Sequence, residues 1–326
     1  MTGTIGVLHP ATHDPVTIAE RASALGYDRF YSGELWGSDS FVELARAGGV
    51  DIDLGTAIVN IYSRSPATLA QAAATLETGA SGDVALGLGT STEQAIESIH
   101  GLSFDRPVRR LHETAELAGQ ILRSDERVTY EGETVAAGGV PGFDTEIPIF
   151  TAALGAAARR ATGRVADGWI PHNIPFDRLE DAFETVAAAA TERGRDPDAI
   201  TVAPYVPAAV ADDPSVAKDA LRGHIAYYVG SGEGYRRVVG AAYPDAAETI
   251  AARWAEGDRD AARRAVSEEM IEDLGVAGSP ETALAQFRSV VERSVIDAPI
   301  LVVPRNATDL AENTLEALAP AAEDGA

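Results

Sequence analysis

Three observations on the 326-residue sequence predict a (β/α)8 TIM barrel. Eight short apolar runs recur along the chain, each ending in a polar loop. Helical periodicity fills the intervals between them, the rhythm of a parallel sheet with helical crossovers. No stretch rich in Pro, Gly or Ser is long enough to form a linker, so residues 1–326 read as one domain. A β-hairpin inserted before strand 5 and a helical insertion between strands 7 and 8 interrupt the rhythm.

Strand 1 is expected at Thr4–Leu8, followed by the polar loop His9–Asp14. Asp14 can cap a helix over Pro15–Leu25, with proline at its first position and Gly26 to end it. Strand 2 is Arg29–Ser32, leading into Gly33-Glu34-Leu35-Trp36-Gly37, and Asp39–Ala47 is helical. Strand 3 runs over Leu54–Ile61. Polar Asn60, Tyr62, Ser63, Arg64 and Ser65 crowd its end before Pro66 opens an alanine-rich helix over Ala67–Thr78. Such an end suits either a site or an ordinary strand-to-helix connection. Strand 4 is Val84–Leu88, ending in Gly89-Thr90-Ser91-Thr92-Glu93.

Gly101–Arg109 reads as irregular and Leu111–Leu122 as an amphipathic helix. Arg127–Val135 alternates at period two around Glu131-Gly132, the pattern of a hairpin. Strand 5 is Ile147–Thr151, a helix begins at Gly155, and strand 6 is Asp167–Ile170, ending in Pro171-His172-Asn173. Leu179–Arg193 is helical and Ile200–Pro207 is strand 7. Helical segments at Ser215–Val229, Pro244–Ala255 and Asp258–Leu274 form the insertion, and Pro280–Arg293 is the helix before strand 8 at Pro299–Val303. Leu310–Leu318 closes the ring, and Pro320–Ala326 is expected to fray.

The apolar fraction of 45% is ample for a core. Cysteine is absent, which excludes disulfides and thiolate-metal sites. The N-terminus shows no signal-peptide pattern and no apolar run is long enough to span a bilayer, so a cytoplasmic protein is expected. The net charge of −24 is spread along the chain, and Lys218 is the sole lysine. That pattern suits a halophilic protein, since ~1 M salt screens charge over about 3 Å, although an ordinary acidic protein fits as well. The charge argues against nucleic-acid and anionic-membrane partners.

Barrel enzymes assemble their sites from the loops after the strands. Those loops carry His9, Glu34 with Trp36, Asn60 with Arg64, Thr90 with Glu93, Gly155, and His172 with Asn173. No metal motif, GxGxxG fingerprint, phosphate loop or GxSxG elbow is present, so no metal is assigned. Lys218 lies in the insertion, so a Schiff-base mechanism lacks a nucleophile on a strand end. The small residues opening the helix at Gly155-Ala156 suit either phosphate binding at free N–H groups or close helix packing.

The run Leu54-Gly-Thr-Ala-Ile-Val-Asn-Ile-Tyr-Ser-Arg-Ser-Pro66 resembles that of the bacterial luciferase-like flavin and deazaflavin oxidoreductases. Gly33-Glu34-Leu-Trp36, Asp83–Thr90 and Ala166-Asp-Gly-Trp169 fit the same pattern. The likeness is to the coenzyme F420-dependent branch, which includes methylenetetrahydromethanopterin reductase. It implies a non-prolyl cis peptide at Ala57–Ile58, forming a bulge behind the deazaflavin ring. It also implies cofactor contacts from Glu34, Ala57, Ile58, Asn60, Gly89, Thr90, Gly155, Ala156, His172 and Asn173. Ser65 stands where that branch often has histidine. Leu8 stands where the reductases carry a glutamate, which leaves His9 or Glu34 as candidate proton donors. A homodimer is expected by resemblance. The function so implied is hydride transfer between reduced F420 and a small substrate, a methylene-tetrahydropterin or methylene-tetrahydrofolate being the specific case. An FMN-dependent monooxygenase and a non-catalytic flavin-binding barrel are the alternatives.

Overall fold

The computed structural model describes residues 4–10, 12–34 and 37–320. Trp36 and residues 321–326 of the expected tail lie outside the described residues. The strands of the barrel are β1 (Gly6–Leu8), β2 (Arg29–Ser32), β3 (Asp53–Thr56 and Val59–Asn60) and β4 (Val84–Gly89). After them come β5 (Ile149–Thr151), β6 (Gly168–Trp169), β7 (Thr201–Val202 and Tyr205–Val210) and β8 (Ile300–Val302). Every pairing among them is parallel, in sequence order, with β1 returning to pair with β8 through Gly6↔Ile300.

Closure rests on β7. Its first part pairs with β6 and its second with β8. Between the two parts, Ala203 N donates to Trp169 O and Ile300 N to Pro204 O, each at 2.8 Å. One continuous stretch is thus bonded to both neighbours, and the ring has no open edge there.

Side-chain alternation divides the strands into an outer face and a lumen face. Val7, Phe30, Leu54, Leu86, Ile149 and Trp169 face outward into the large core shared with the helices. Tyr31, Ala57, Ala85, Phe150, Ile170 and Ile300 fill the lumen. Partly buried Leu8, Ile58, Ala152 and Tyr205 pack on this filling and form its upper layer. The lumen is therefore a solid core with a mostly apolar top, and ligands can be met only above it.

The hairpin is present as Arg127–Glu131 paired with Ala136–Pro141. Its tip is held by Glu113, a fully buried carboxylate on the helix Pro107–Arg123. Glu113 accepts from Glu133 N at 2.8 Å, Thr134 N at 2.7 Å and Thr134 Oγ1 at 2.5 Å, and pairs with Arg109 at 2.6 Å.

The helical insertion has five helices, Pro214–Ser231, Glu233–Gly240, Pro244–Ala255, Arg259–Arg264 and Glu268–Leu274, around a core of its own. The span Asp258–Leu274, expected as one helix, is two, because Ser267 caps a new start by accepting from Met270 N at 3.1 Å. The expectation also missed the helix Glu93–Ser98 and a short strand, Val276–Gly278, which pairs with Ala208–Val210. That strand is three residues long, too short to show a period.

Candidate active site at the carboxyl-terminal mouth of the barrel

β3 breaks between its two parts at a cis peptide bond, Ala57–Ile58. Neighbouring backbone locks this turn in place: Ala57 N donates to Ser32 O at 2.8 Å and Glu34 N to Ile58 O at 2.9 Å. The approach is open only to glycine at position 33, where a Cβ would sit 2.4 Å from the Ala57 oxygen. Gly89 plays the same part on the other side, since a Cβ there would lie 2.7 Å from the Ile58 side chain. Asn60 pairs in register with Gly89, and its Oδ1 accepts from Tyr62 N at 3.0 Å and Ser63 N at 2.8 Å. Ala57, Ile58, Asn60 and Gly89 thus form one continuous wall, with half-buried Thr90 at its edge.

Tyr205 enters from β7, opposite β3 in the ring. Its hydroxyl donates to the Ala57 carbonyl oxygen across the top of the lumen. Burial pushes this phenol well above its ordinary pKa, so it stays a neutral donor. His172, at the end of β6, packs against the Tyr205 ring at 4.9 Å between centroids. Tyr228 and Tyr235 of the insertion stand edge-on to His172 at 4.4 and 5.4 Å. His224, also of the insertion, brings its Nε2 to 3.1 Å from the His172 Nε2. Burial lowers the pKa of both imidazoles, that of His224 to about 3, so the pair is neutral near pH 7.

Asn173 follows in the left-handed region at φ 55°, 3% exposed, with neither its amide nitrogen nor its oxygen hydrogen-bonded. A buried amide leaves both ends unpaired only at a cost of about 1–3 kcal/mol per group. Gly155 caps the helix Ala156–Val165 with no side-chain hydrogen bond and no acidic residue in the first turn. Gly155 and Ala156 are exposed, so the helix start presents bare N–H groups to solvent.

The two candidate proton donors, His9 and Glu34, follow β1 and β2. Leu8 takes the lumen side of β1, so His9 turns outward, its ring 5.5 Å from Phe30 and its Nε2 3.5 Å from Glu43 on the helix Ser40–Ala47. Neither ring nitrogen makes a hydrogen bond, and burial lowers the pKa against the opposing pull of Glu43. Glu34 is held in a two-point pair by Arg64, with both contacts at 2.8 Å, and accepts from Ser40 N at 3.3 Å. Arg64 also pairs with Asp39. His9 therefore faces the helix layer, while Glu34 stands beside the Ala57–Ile58 turn with its carboxylate paired to Arg64, and Tyr205 and His172 meet above the lumen. Tyr205 and His224 were not singled out by the sequence, because only the folded chain brings β7 and the insertion to the end of β6.

Among the described residues no group of three or more His, Asp or Glu could hold a metal, and no helix is long and apolar enough to cross a membrane.

A family described as luciferase-like monooxygenase matches residues 2–297. The chain belongs to the luciferase-like monooxygenase family. Within it, the 5,10-methylenetetrahydromethanopterin reductase of Methanolobus tindarius is 28% identical over 247 residues, 75% of either chain. The coenzyme F420-dependent tetrahydromethanopterin reductase of Methanopyrus kandleri has the same fold, with a TM-score of 0.82 at 23% identity over 98% of both chains. The oxygenating constituent of 3,6-diketocamphane monooxygenase from Pseudomonas putida, in complex with FMN, gives 0.67 at 17% identity over 98% of this chain and 97% of its own. Homologues of this luciferase-like chain are thus F420-dependent oxidoreductases, methylenetetrahydromethanopterin reductase among them.

Proposed function

We propose that this protein is an F420-dependent oxidoreductase that moves a hydride between reduced deazaflavin and a small substrate. The observation that carries the reading is Asn173, a buried amide with no partner, in the loop after β6 and next in sequence to His172. A flat ring whose edge alternates carbonyl and N–H groups would satisfy both ends of that amide. The uncapped helix start at Gly155-Ala156 would take a phosphate from the cofactor's side chain. When bound, reduced F420 supplies a hydride.

The chain's own residues do the rest. Ile58 and Ala57 would back one face of a bound ring and leave the other for substrate. Leu8, Ala152 and Tyr205 keep water out from below. His172 borders the same space, uncharged near pH 7. A C1-carrying pterin or folate is the proposed substrate class, supported by the reductases among the homologues. In this reading the protein acts as a homodimer.

The test is titration of the purified protein, in molar salt, with reduced F420 and in parallel with reduced FMN. Binding of F420 and its oxidation by a methylene-tetrahydropterin support the reading. Tight FMN binding with oxygen-dependent turnover, and none with F420, would replace it with the monooxygenase reading. That alternative has its own support in the FMN-bound structural neighbour.

A further inference from the structure

We infer that His224, on the insertion helix Pro214–Ser231, is a positioning residue that fixes the tautomer and orientation of His172 at the mouth of the barrel. The inference rests on the proposed F420 site for its functional arm, and on the geometry of the two rings for its structural arm.

The two Nε2 atoms are 3.1 Å apart, and the residues are 5% and 4% exposed. Two bare lone pairs at that distance repel, and so do two N–H groups. The contact therefore requires a proton on one Nε2 and a lone pair on the other. One ring is the Nε2–H tautomer and its partner the Nδ1–H tautomer. Burial disfavours a charge on either ring, so the arrangement holds across the neutral range.

Three phenols pack against the pair. Tyr205 comes from β7, Tyr228 from the helix of His224 itself, and Tyr235 from the next helix. Burial raises all three phenols, Tyr228 to about 12, so none is charged near neutrality. The Arg305 charge acts on Tyr228 rather than on the imidazoles. Among the described residues, the hydrogen bond from the insertion is the polar contact shown for the His172 ring, and it sets the ring's orientation.

Asn173 gives this a consequence. It is the next residue, and its amide is the group proposed to read the cofactor edge. A His172 ring free to flip would loosen the loop that aims Asn173. The insertion would thereby act on cofactor affinity through His224 without touching the cofactor.

The experiment uses 15N-histidine-labelled full-length protein and two variants, His224→Leu and His224→Gln. Ring-nitrogen spectra of the wild type between pH 5 and 8 should show His172 as one neutral tautomer throughout, a range set by the ordinary histidine pKa of about 6.5. In His224→Leu it should become a mixture of tautomers, while His224→Gln, which can still donate or accept, keeps one. Reduced-F420 affinity, read by fluorescence, should fall about five-fold or more in His224→Leu, roughly 1 kcal/mol. It should stay within about two-fold in His224→Gln. An unchanged His172 spectrum in His224→Leu, or mixed tautomers in the wild type, overturns the inference. So does equal F420 affinity in all three proteins. Wild type that binds no F420 overturns the functional reading instead, and the spectra then decide the histidine pair on their own.

Discussion

The hydroxyl of Tyr205 donates a hydrogen bond to the carbonyl oxygen of Ala57 across the top of the barrel lumen. The two residues come from opposite strands, so this single contact spans the floor of the candidate site. Tyr205→Phe keeps the ring and removes the donor. The Ala57 oxygen is then left unpaired in a buried setting, which costs about 1–3 kcal/mol. Chemical denaturation in molar salt should show a loss in that range. A variant as stable as the wild type would mean that another donor reaches the carbonyl.

Gly33 is the second support of the same turn. A methyl group added there would meet the Ala57 oxygen at 2.4 Å, and that atom is backbone, which cannot swing aside. Gly33→Ala should therefore destabilise the fold by about 1–3 kcal/mol, the usual range for overpacking. Gly138→Ala, at an exposed position of the hairpin, is the control, because a Cβ there meets nothing within 4 Å. Its unfolding midpoint should match the wild type.

The eight-stave rhythm and the first hairpin strand were legible in the sequence, because apolar periodicity and strand-sized runs are local properties, but the second hairpin strand falls at Ala136–Pro141, beyond the expected Arg127–Val135. The direction of His9 was not. β1 is buried on both faces, so Val7 and Leu8 are equally apolar and nothing in the sequence tells which points to the lumen. One residue of parity then decides whether His9 faces substrate or the helix layer. His172 and Asn173 could be picked out because they end a recognisable strand. Their partners could not: His224 is 52 positions away from His172, and Tyr205 is 148 from Ala57. The insertion that supplies His224 read only as a run of helices.

Glu113 makes a pH-dependent prediction. Burial alone would raise its pKa, but hydrogen bonds from Thr134 and Glu133 and the pair with Arg109 outweigh it and hold the value down at about 2. A carboxylate depressed below its unfolded value stabilises the fold above the ordinary carboxylate range. That contribution fades as pH falls below the unfolded pKa of about 4.5 and is lost as pH passes through about 2. The hairpin tip should accordingly loosen in acid before the barrel does, seen as faster amide exchange at Glu133, Thr134 and Val135. Glu113→Ala should produce the same local exchange at pH 7. Uniform protection of the hairpin at pH 3, a point chosen between those two limits, would contradict the role given to this carboxylate.

Charge makes a prediction about salt. At −24 the folded chain repels itself, and the repulsion reaches about 10 Å at 0.1 M salt but only about 3 Å at 1 M. The unfolding temperature should rise steadily from ~0.1 to ~2 M KCl, at concentrations where specific exposed ion pairs are already weakened. An unfolding temperature that is flat or falls over this range would favour an ordinary acidic protein.

Asn173 separates binding from stability. Its amide contributes no hydrogen bond inside the fold, and its φ of 55° suits glycine as well as asparagine. Asn173→Gly should therefore leave stability unchanged or raise it, because it removes two buried groups whose unpaired burial costs about 1–3 kcal/mol each. Reduced-F420 affinity should fall, because two hydrogen bonds worth about 0.5–1.5 kcal/mol each disappear. That corresponds to a weakening of roughly 5- to 150-fold. Loss of stability with affinity retained would show that the amide pairs within the protein. Loss of affinity alone would place the cofactor edge at the end of β6, above the phenol that joins Tyr205 to Ala57.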